Sequence, residues 1–232
     1  MSSAFHGFHC TPLGDRALII SFGREISPTI HERVRAFSAA LTKHPILGVI
    51  EIVPAYTTVT VHYEPLSFLD EEKTPYDLLK AALKKTPVNE DATERPREIK
   101  IPVCYGGEYG PDLADVAKHT QLDPEEVIAR HHQATYTVYL LGFLPGFPYL
   151  GGLDPQLATP RRATPRLRVP LGSVAIGGEQ TGVYPLESPG GWNIIGRTPL
   201  RLFDPSQVPP ALLQPGDLIR FSPITSDEMA RT

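Results

Sequence analysis

Cysteine is nearly missing from this chain of 232 residues, which holds only Cys10 and Cys104. No CxxC pair occurs and neither cysteine has a histidine at ligand spacing. A disulfide framework and a thiolate zinc site are thereby excluded, and no metal is expected. Long hydrophobic runs are missing too. No uncharged apolar stretch free of Pro and Gly is long enough to span a bilayer, and the first thirty residues lack a charged region followed by an apolar one. A cytoplasmic protein with no membrane partner is expected. Positive charge is not in excess: 22 basic residues stand against 26 acidic ones, a net charge of −4, so nucleic acid is not an expected partner. GxxxxGK[ST] is absent, as is a GxGxxG that opens a helix, so the chain carries no nucleotide loop of its own. GxSxG, HExxH and a Cys-His signature are absent as well, which argues against self-sufficient hydrolase chemistry.

What is present in quantity is proline and glycine, 25 and 19 residues, of which 19 and 15 lie at or after Pro87. With 41% hydrophobic residues the chain can still bury a core, so disorder is excluded. Two compositions in one chain predict two domains, 1–88 and 98–232. The stretch 86–97 (TPVNEDATERPR), polar and charged with two prolines, is the expected linker.

Residues 15–22 (DRALIISF) form a short apolar run closed by Gly23. Ser27-Pro28 then gives an N-cap with Pro at the first helical position, and Ile30, Val34, Phe37 and Leu41 supply an amphipathic stripe. Residues 48–55 and 57–63 alternate as a strand pair, and Thr74-Pro75 starts a second helix whose buried face is Leu78, Leu79, Ala82 and Leu83. The order β-α-β-β-α predicts an α+β sandwich, an open sheet with helices on one face. In the second domain 98–105 reads as a strand, 112–119 and 123–132 as helices, and 135–141 as another strand. After Gly142, short runs broken by Gly or Pro predict a closed or sandwiched β domain.

Four features could carry chemistry. The loop 142–152 (GFLPGFPYLGG) cannot be helical, and it offers Phe143 and Phe147 around Pro145 and Gly146 as a pocket lip, as a partner's docking surface, or as a packed cover of the barrel. No lysine follows Lys118, yet Arg161, Arg162, Arg166, Arg168, Arg197 and Arg201 fall between residues 161 and 201 with only Glu179 and Glu187 as acids. Arginine forks bind carboxylate or phosphate at two points, so an anionic ligand or an acidic partner is implied. GGEQTG (177–182) and SPGGW (188–192) set polar side chains beside glycine pairs, the composition of an anion-holding nest, with Trp192 as a core plug or a stacking wall. His131 and His132 end the second helix of this domain; at most one of the two faces a site, where it could serve as a general acid or base if the fold brings Tyr136, Glu179 or Glu187 to orient it.

The strings at 141–153 (LGFLPGFPYLGGL) and 159–205, with looser matches at 14–23, 48–65 and 101–113, closely resemble the allophanate hydrolase subunit 1 family. That family includes B subunits of 5-oxoprolinase (PxpB) and the kinase inhibitor KipI. The resemblance implies a small α+β amino-terminal domain followed by a cyclophilin-like β-barrel. It implies one component of an enzyme that cleaves 5-oxoproline to glutamate with ATP and Mg, the nucleotide being held or shared by a partner. The implied partners are a PxpC-like chain of the same barrel type and a PxpA-like chain, joined with this one in a heteromeric complex. It also implies two alternatives, a KipI-like inhibitor of a sensor histidine kinase and a carboxyltransferase-type component of a biotin enzyme related to urea and allophanate metabolism. By position His131, Tyr136, Phe143, Pro145, Gly146 and Phe147 fall in the family's motifs. So do Gln180, Thr181, Tyr184, Ser188, Gly190, Gly191, Trp192 and Arg197, while Leu171-Gly172 and Gly177-Gly178 replace its frequent Ala-Gly. On that reading His131 is the general base that assists proton transfer, and Arg166 and Arg197, with Gln180, Thr181, Tyr184, Ser188, Gly190 and Gly191, hold the substrate or its developing charge. Tyr136, Phe143, Pro145, Gly146, Phe147 and Trp192 form the pocket or partner surface.

Overall fold

The computed structural model describes residues 8–88 and 96–231, so the central part of the expected linker, 89–95, lies outside the described residues. The chain divides into two compact units, Met1–Arg95 and Pro96–Thr232. Among the described residues, no helix is long and apolar enough to cross a membrane.

The first unit runs β1 (His9–Pro12), β2 (Ala17–Ser21), α1 (Pro28–Lys43), β3 (Val49–Pro54), β4 (Thr58–Tyr63) and α2 (Pro75–Lys84). Its four strands form an antiparallel sheet in the order β1-β2-β4-β3. Both helices start as their sequence signals require. The Ser27 hydroxyl accepts from the Ile30 N–H and the Thr74 hydroxyl from the Asp77 N–H, each with Pro in the first turn where no donor is wasted. Leu18, Ile20, Val59 and Val61 sit at period two on one sheet face and share a core with Val34, Phe37 and Leu41 of α1 and Leu79 and Leu83 of α2. The strand β1 adds to the order read from the sequence. It is a polar edge strand in which only Cys10 is buried, so it carries no apolar alternation to detect.

The second unit runs β5 (Glu98–Tyr105), α3 (Leu113–Thr120), α4 (Pro124–Gln133), β6 (Tyr136–Leu141), β7 (Pro148–Gly151), β8 (Arg166–Val169), β9 (Ser173–Gly177), β10 (Gln180–Val183), β11 (Ser188–Gly190), β12 (Asn193–Arg197), β13 (Leu218–Pro223) and α5 (Ser226–Ala230). Seven strands close a barrel in the order β10-β7-β6-β13-β5-β12-β9, while β8 and β11 form a separate two-stranded ribbon. The fold is therefore the expected mixed one, an α+β sheet unit and a closed β-barrel. Side chains alternate across the barrel wall. Val174, Ile176 and Ile195 enter the inner core with Ile101, Val138 and Phe221, whereas Ala175 and Ile194 point to an outer cluster with Phe147, Val169, Tyr184 and Trp192. Because β9 is covered on both faces, all five of its residues are buried and its sequence reads as a continuous apolar run rather than an alternation.

The carboxy-terminal end of α4 plugs the barrel with His131, which is fully buried and stacks on Phe221 at 4.6 Å. The Thr181 hydroxyl donates to the Ala175 carbonyl at 3.1 Å, so its oxygen accepts from Nε2–H of His131 at 2.9 Å. The imidazole Nδ1 then accepts from the Tyr105 hydroxyl at 2.8 Å. One neutral imidazole thus links β5 to β10 across the lumen. Burial, assisted by the neighbouring His132, lowers its pKa to about 3.

This makes folding sensitive to acid. The folded chain refuses, down to about pH 3, a proton that the unfolded chain binds below its ordinary value of 6.5, so stability falls as pH falls through that window. The loss from this group is about 1.4 kcal/mol per pH unit. Tyr105, Tyr136 and Thr181, which face the ring, carry no charge in that range. Denaturant unfolding at pH 7 and pH 5 should show a steeper loss for the natural chain than for His131→Gln. Equal losses would refute the assignment.

Candidate binding cleft

On the outside of the barrel, beneath the ribbon, lies a cleft of about 330 Å³ lined by Phe143, Phe147, Tyr149, Arg161, Arg162, Pro165, Tyr184, Pro189, Gly190, Gly191 and Trp192. Its wall is a set of aromatic rings centred on Phe147, whose centroid lies 5.0 Å from Tyr149, 5.2 Å from Tyr184 and 5.5 Å from Trp192, each in edge contact. Phe143 meets the same ring edge-on at 5.6 Å and is 62% exposed at the mouth. It is held at a φ of 67°, a backbone region that bulky residues rarely adopt. Two glycines let the wall close up. A Cβ on Gly177 would lie 2.6 Å from three atoms of the Trp192 indole, and one on Gly190 would lie 2.4 Å from the Tyr184 hydroxyl.

The cationic side of the cleft is built by the segment after β7. Thr159 and Gly178 exchange backbone hydrogen bonds, the Asn193 amide donates to the Pro160 carbonyl at 2.9 Å, and the Arg162 N–H donates to the Gly191 carbonyl at 2.7 Å. Arg161 and Arg162 then diverge. The Arg161 guanidinium lies 5.9 Å from the centre of the Trp192 ring, a cation over an aromatic face. Arg162 Nη1 donates to Asp112 Oδ1 at 2.7 Å.

Asp112 is the residue that the sequence reading did not single out. It is 2% exposed at the start of α3, yet its side chain caps no helical N–H. Instead Oδ1 accepts from Arg162 and Arg166, and Oδ2 from Arg166 and the backbone N–H of Ile194, all at 2.7 Å. Both carboxylate oxygens are saturated by these four donors. The only trace in the sequence is a lone acid after a Gly-rich stretch (YGGEYGPDL), which resembles an ordinary helix start.

The expected site residues separate into groups. Phe143, Phe147, Tyr184, Gly190, Gly191 and Trp192 come together as the cleft lining, and Trp192 serves as a wall that is also buried in the outer core. Pro145 and Gly146 belong to the turn that delivers Phe147, with Gly146 at a φ of 78° against Phe203. Arg166 is outside the lining and is taken up bidentately by Asp112, which raises its pKa. Arg197 is outside it as well and donates Nε to the Leu171 carbonyl at 2.8 Å. Gln180 and Ser188 do not line the cleft either, and the Ser188 hydroxyl turns to the adjacent Pro189 carbonyl. His131, Tyr136 and Thr181 lie inside the barrel, where the Tyr136 hydroxyl donates to the His131 carbonyl at 2.7 Å. A general base needs contact with the reacting proton, and His131 is enclosed with both ring nitrogens engaged, so the placement corrects the expectation of a catalytic histidine. Burial also raises the phenol pKa values of Tyr136 and Tyr184, with a backbone hydrogen bond at Trp192 opposing the shift at Tyr184. Both phenols stay neutral. The residues that the reading did not assign to a site are Arg161, Arg162, Tyr149, Pro165 and Pro189, although the two arginines stood in the Arg-only window.

The second unit is thus a closed barrel with side chains packed in its interior and an aromatic, cationic cleft on its outer face. The chain belongs to the family of the carboxyltransferase domain, subdomain C and D, which matches residues 8–213. It is similar to a Bacillus subtilis (strain 168) protein named as the B subunit of 5-oxoprolinase, 46% identical over 222 residues that cover 93% of this chain and 92% of the relative. An Escherichia coli O157:H7 protein of the same name is 43% identical over 214 residues, 92% of this chain and 95% of the relative. Among solved structures, TTHA0988 superposes with a TM-score of 0.79 at 39% identity over 91% of this chain. This chain spans 40% of the length of that solved chain.

The Gly177 contact yields a direct test. Gly177→Ala should push the indole out of the wall and destabilise the fold by about 1–3 kcal/mol, the cost of an overpacked interior. Since Trp192 is the only tryptophan, its emission should shift as the ring loses its packing. An unchanged melting temperature with unchanged emission would show that the wall is not closed by this contact.

Proposed function

We propose that the chain is the B subunit of an ATP-dependent 5-oxoprolinase and acts with a PxpC-like chain of the same barrel type and a PxpA-like chain to open 5-oxoproline to L-glutamate. The observation that carries this reading is the 46% identity, spread over 93% of the chain, to a protein of that name. The cleft agrees in kind. Its aromatic lining suits a small ring, and its two arginines suit a small carboxylate.

A lactam carbonyl is weakly electrophilic, and ATP supplies the activation that it lacks. The residues of this cleft do not fit the nucleotide. The cleft holds two guanidiniums, one of them already shared with Asp112, and no lysine. Among the described residues, no group of three His, Cys, Asp or Glu could hold a metal ion. ATP and Mg are therefore assigned to a site held by, or shared with, a partner protein. This chain's part is to bind and orient the ring and to shield one face of it from water.

The test is glutamate release from 5-oxoproline, with ATP consumption followed in parallel. The chain with its two partners should release glutamate only when ATP is present, and the chain alone should release none. No release in any combination would refute the reading.

A further inference from the structure

The lining of the cleft separates a charged end from an aromatic end, and the charge at the charged end is incompletely matched. Arg161 lines the cleft, and no salt bridge to it occurs among the described residues. Arg162 has one ion-pair contact, to Asp112, and its Nε is a buried donor with no hydrogen-bond partner among the described residues. A buried donor left unpaired is costly, so this guanidinium is incompletely satisfied by the chain itself. Asp112 cannot satisfy it, because its two oxygens already take four hydrogen bonds. Arg166 shares that carboxylate, so two guanidiniums face one negative charge and Arg161 adds a third cation. The site therefore holds unmatched positive charge beside the aromatic lining, with Arg161 itself over the Trp192 ring.

We propose that this cleft is the subsite for a small flat ring bearing a free carboxylate, 5-oxoproline in the proposed reaction, with Arg161 and Arg162 receiving the carboxylate while Trp192 and Phe147 hold the ring. This rests on the reading of the chain as a component of a 5-oxoprolinase, and it moves anion recognition from Arg166 and Arg197 to the adjacent pair Arg161 and Arg162. Asp112 is a positioning residue. It holds Arg162 at the cleft through Nη1, and it anchors that arrangement to β12 through the Ile194 N–H. The subsite discriminates by charge. A pyrrolidone ring without the carboxylate leaves the guanidiniums unpaired, and so does a ring whose carboxylate is blocked as an amide.

The test uses the complex of this chain with its two partners and measures both equilibrium binding of labelled 5-oxoproline and the kinetics of glutamate release. Arg161→Gln and Arg162→Gln should each raise KM and the dissociation constant about tenfold to a hundredfold, the loss expected for a hydrogen-bonded charge pair, with a smaller change in kcat. Arg168→Ala, which removes an exposed arginine paired with Glu187, should change neither. Asp112→Asn should raise KM in the same direction, and Asp112→Glu should recover part of the loss. 2-Pyrrolidone should not compete with 5-oxoproline at concentrations where unlabelled 5-oxoproline does. Binding that survives both arginine substitutions, or competition by 2-pyrrolidone equal to that of 5-oxoproline, overturns the subsite. If the unaltered complex binds 5-oxoproline with the stated arginine dependence but releases no glutamate, the subsite stands and the proposed reaction fails.

Discussion

The second unit is organised around one carboxylate. Asp112 is buried where the start of α3, the strand β12 and the segment carrying Arg162 and Arg166 converge, and it accepts hydrogen bonds from the last two while its own backbone N–H donates to the Ile194 carbonyl. A carboxylate so far from water is tolerable only with its donors in place, and four donors at 2.7 Å meet that condition. A pair of this kind contributes little net stability against an apolar replacement. Its effect is geometric, because every misplacement of the three elements leaves a buried charge unpaired. The cleft inherits its shape from that constraint, since Arg162 lines it and Arg166 begins β8, which pairs with the lining strand β11.

The barrel wall serves two cores at once. Inward it presents Val174, Ile176 and Ile195 to an aliphatic lumen, and outward it presents Ala175 and Ile194 to the rings of Phe147, Tyr184 and Trp192. The lumen is filled by aliphatic side chains and bridged by a neutral histidine. The cleft lies on the outer face, where small residues leave room for the aromatic side chains. Gly177 and Gly190 have no side chain because the indole and the phenol occupy that space. The small cleft beside these rings is therefore framed by rigid groups whose positions are set by packing, which is the condition for selective recognition of a small ring.

Local signals were read with success where the physics is local. Ser27-Pro28 and Thr74-Pro75 start helices because a hydroxyl can cap an N–H three residues on and proline wastes no donor there. The aromatic loop around Phe147 and the glycine pairs were legible as a surface because their composition permits little else. The strand His9–Pro12 was not legible, since its pairing with β2 is made by backbone hydrogen bonds that leave no side-chain pattern. The role of His131 was misread for a related reason. Its type and its place at a helix end suit a catalytic base, and only the packing of Tyr105, Phe221 and Thr181 around it turns it into a core residue.

The amino-acid sequence by itself determined the two compositions of the chain, a closed or sandwiched β domain, the family motifs and the existence of an Arg-only window without lysine. These follow from composition, periodicity and short motifs, which act over a few residues. Which arginine is free and which is neutralised was decided by tertiary structure alone. Asp112 is 50 residues from Arg162, 54 from Arg166 and 82 from Ile194 along the chain. Charge pairing depends on distance in space and on burial, and neither can be read from spacing along the chain.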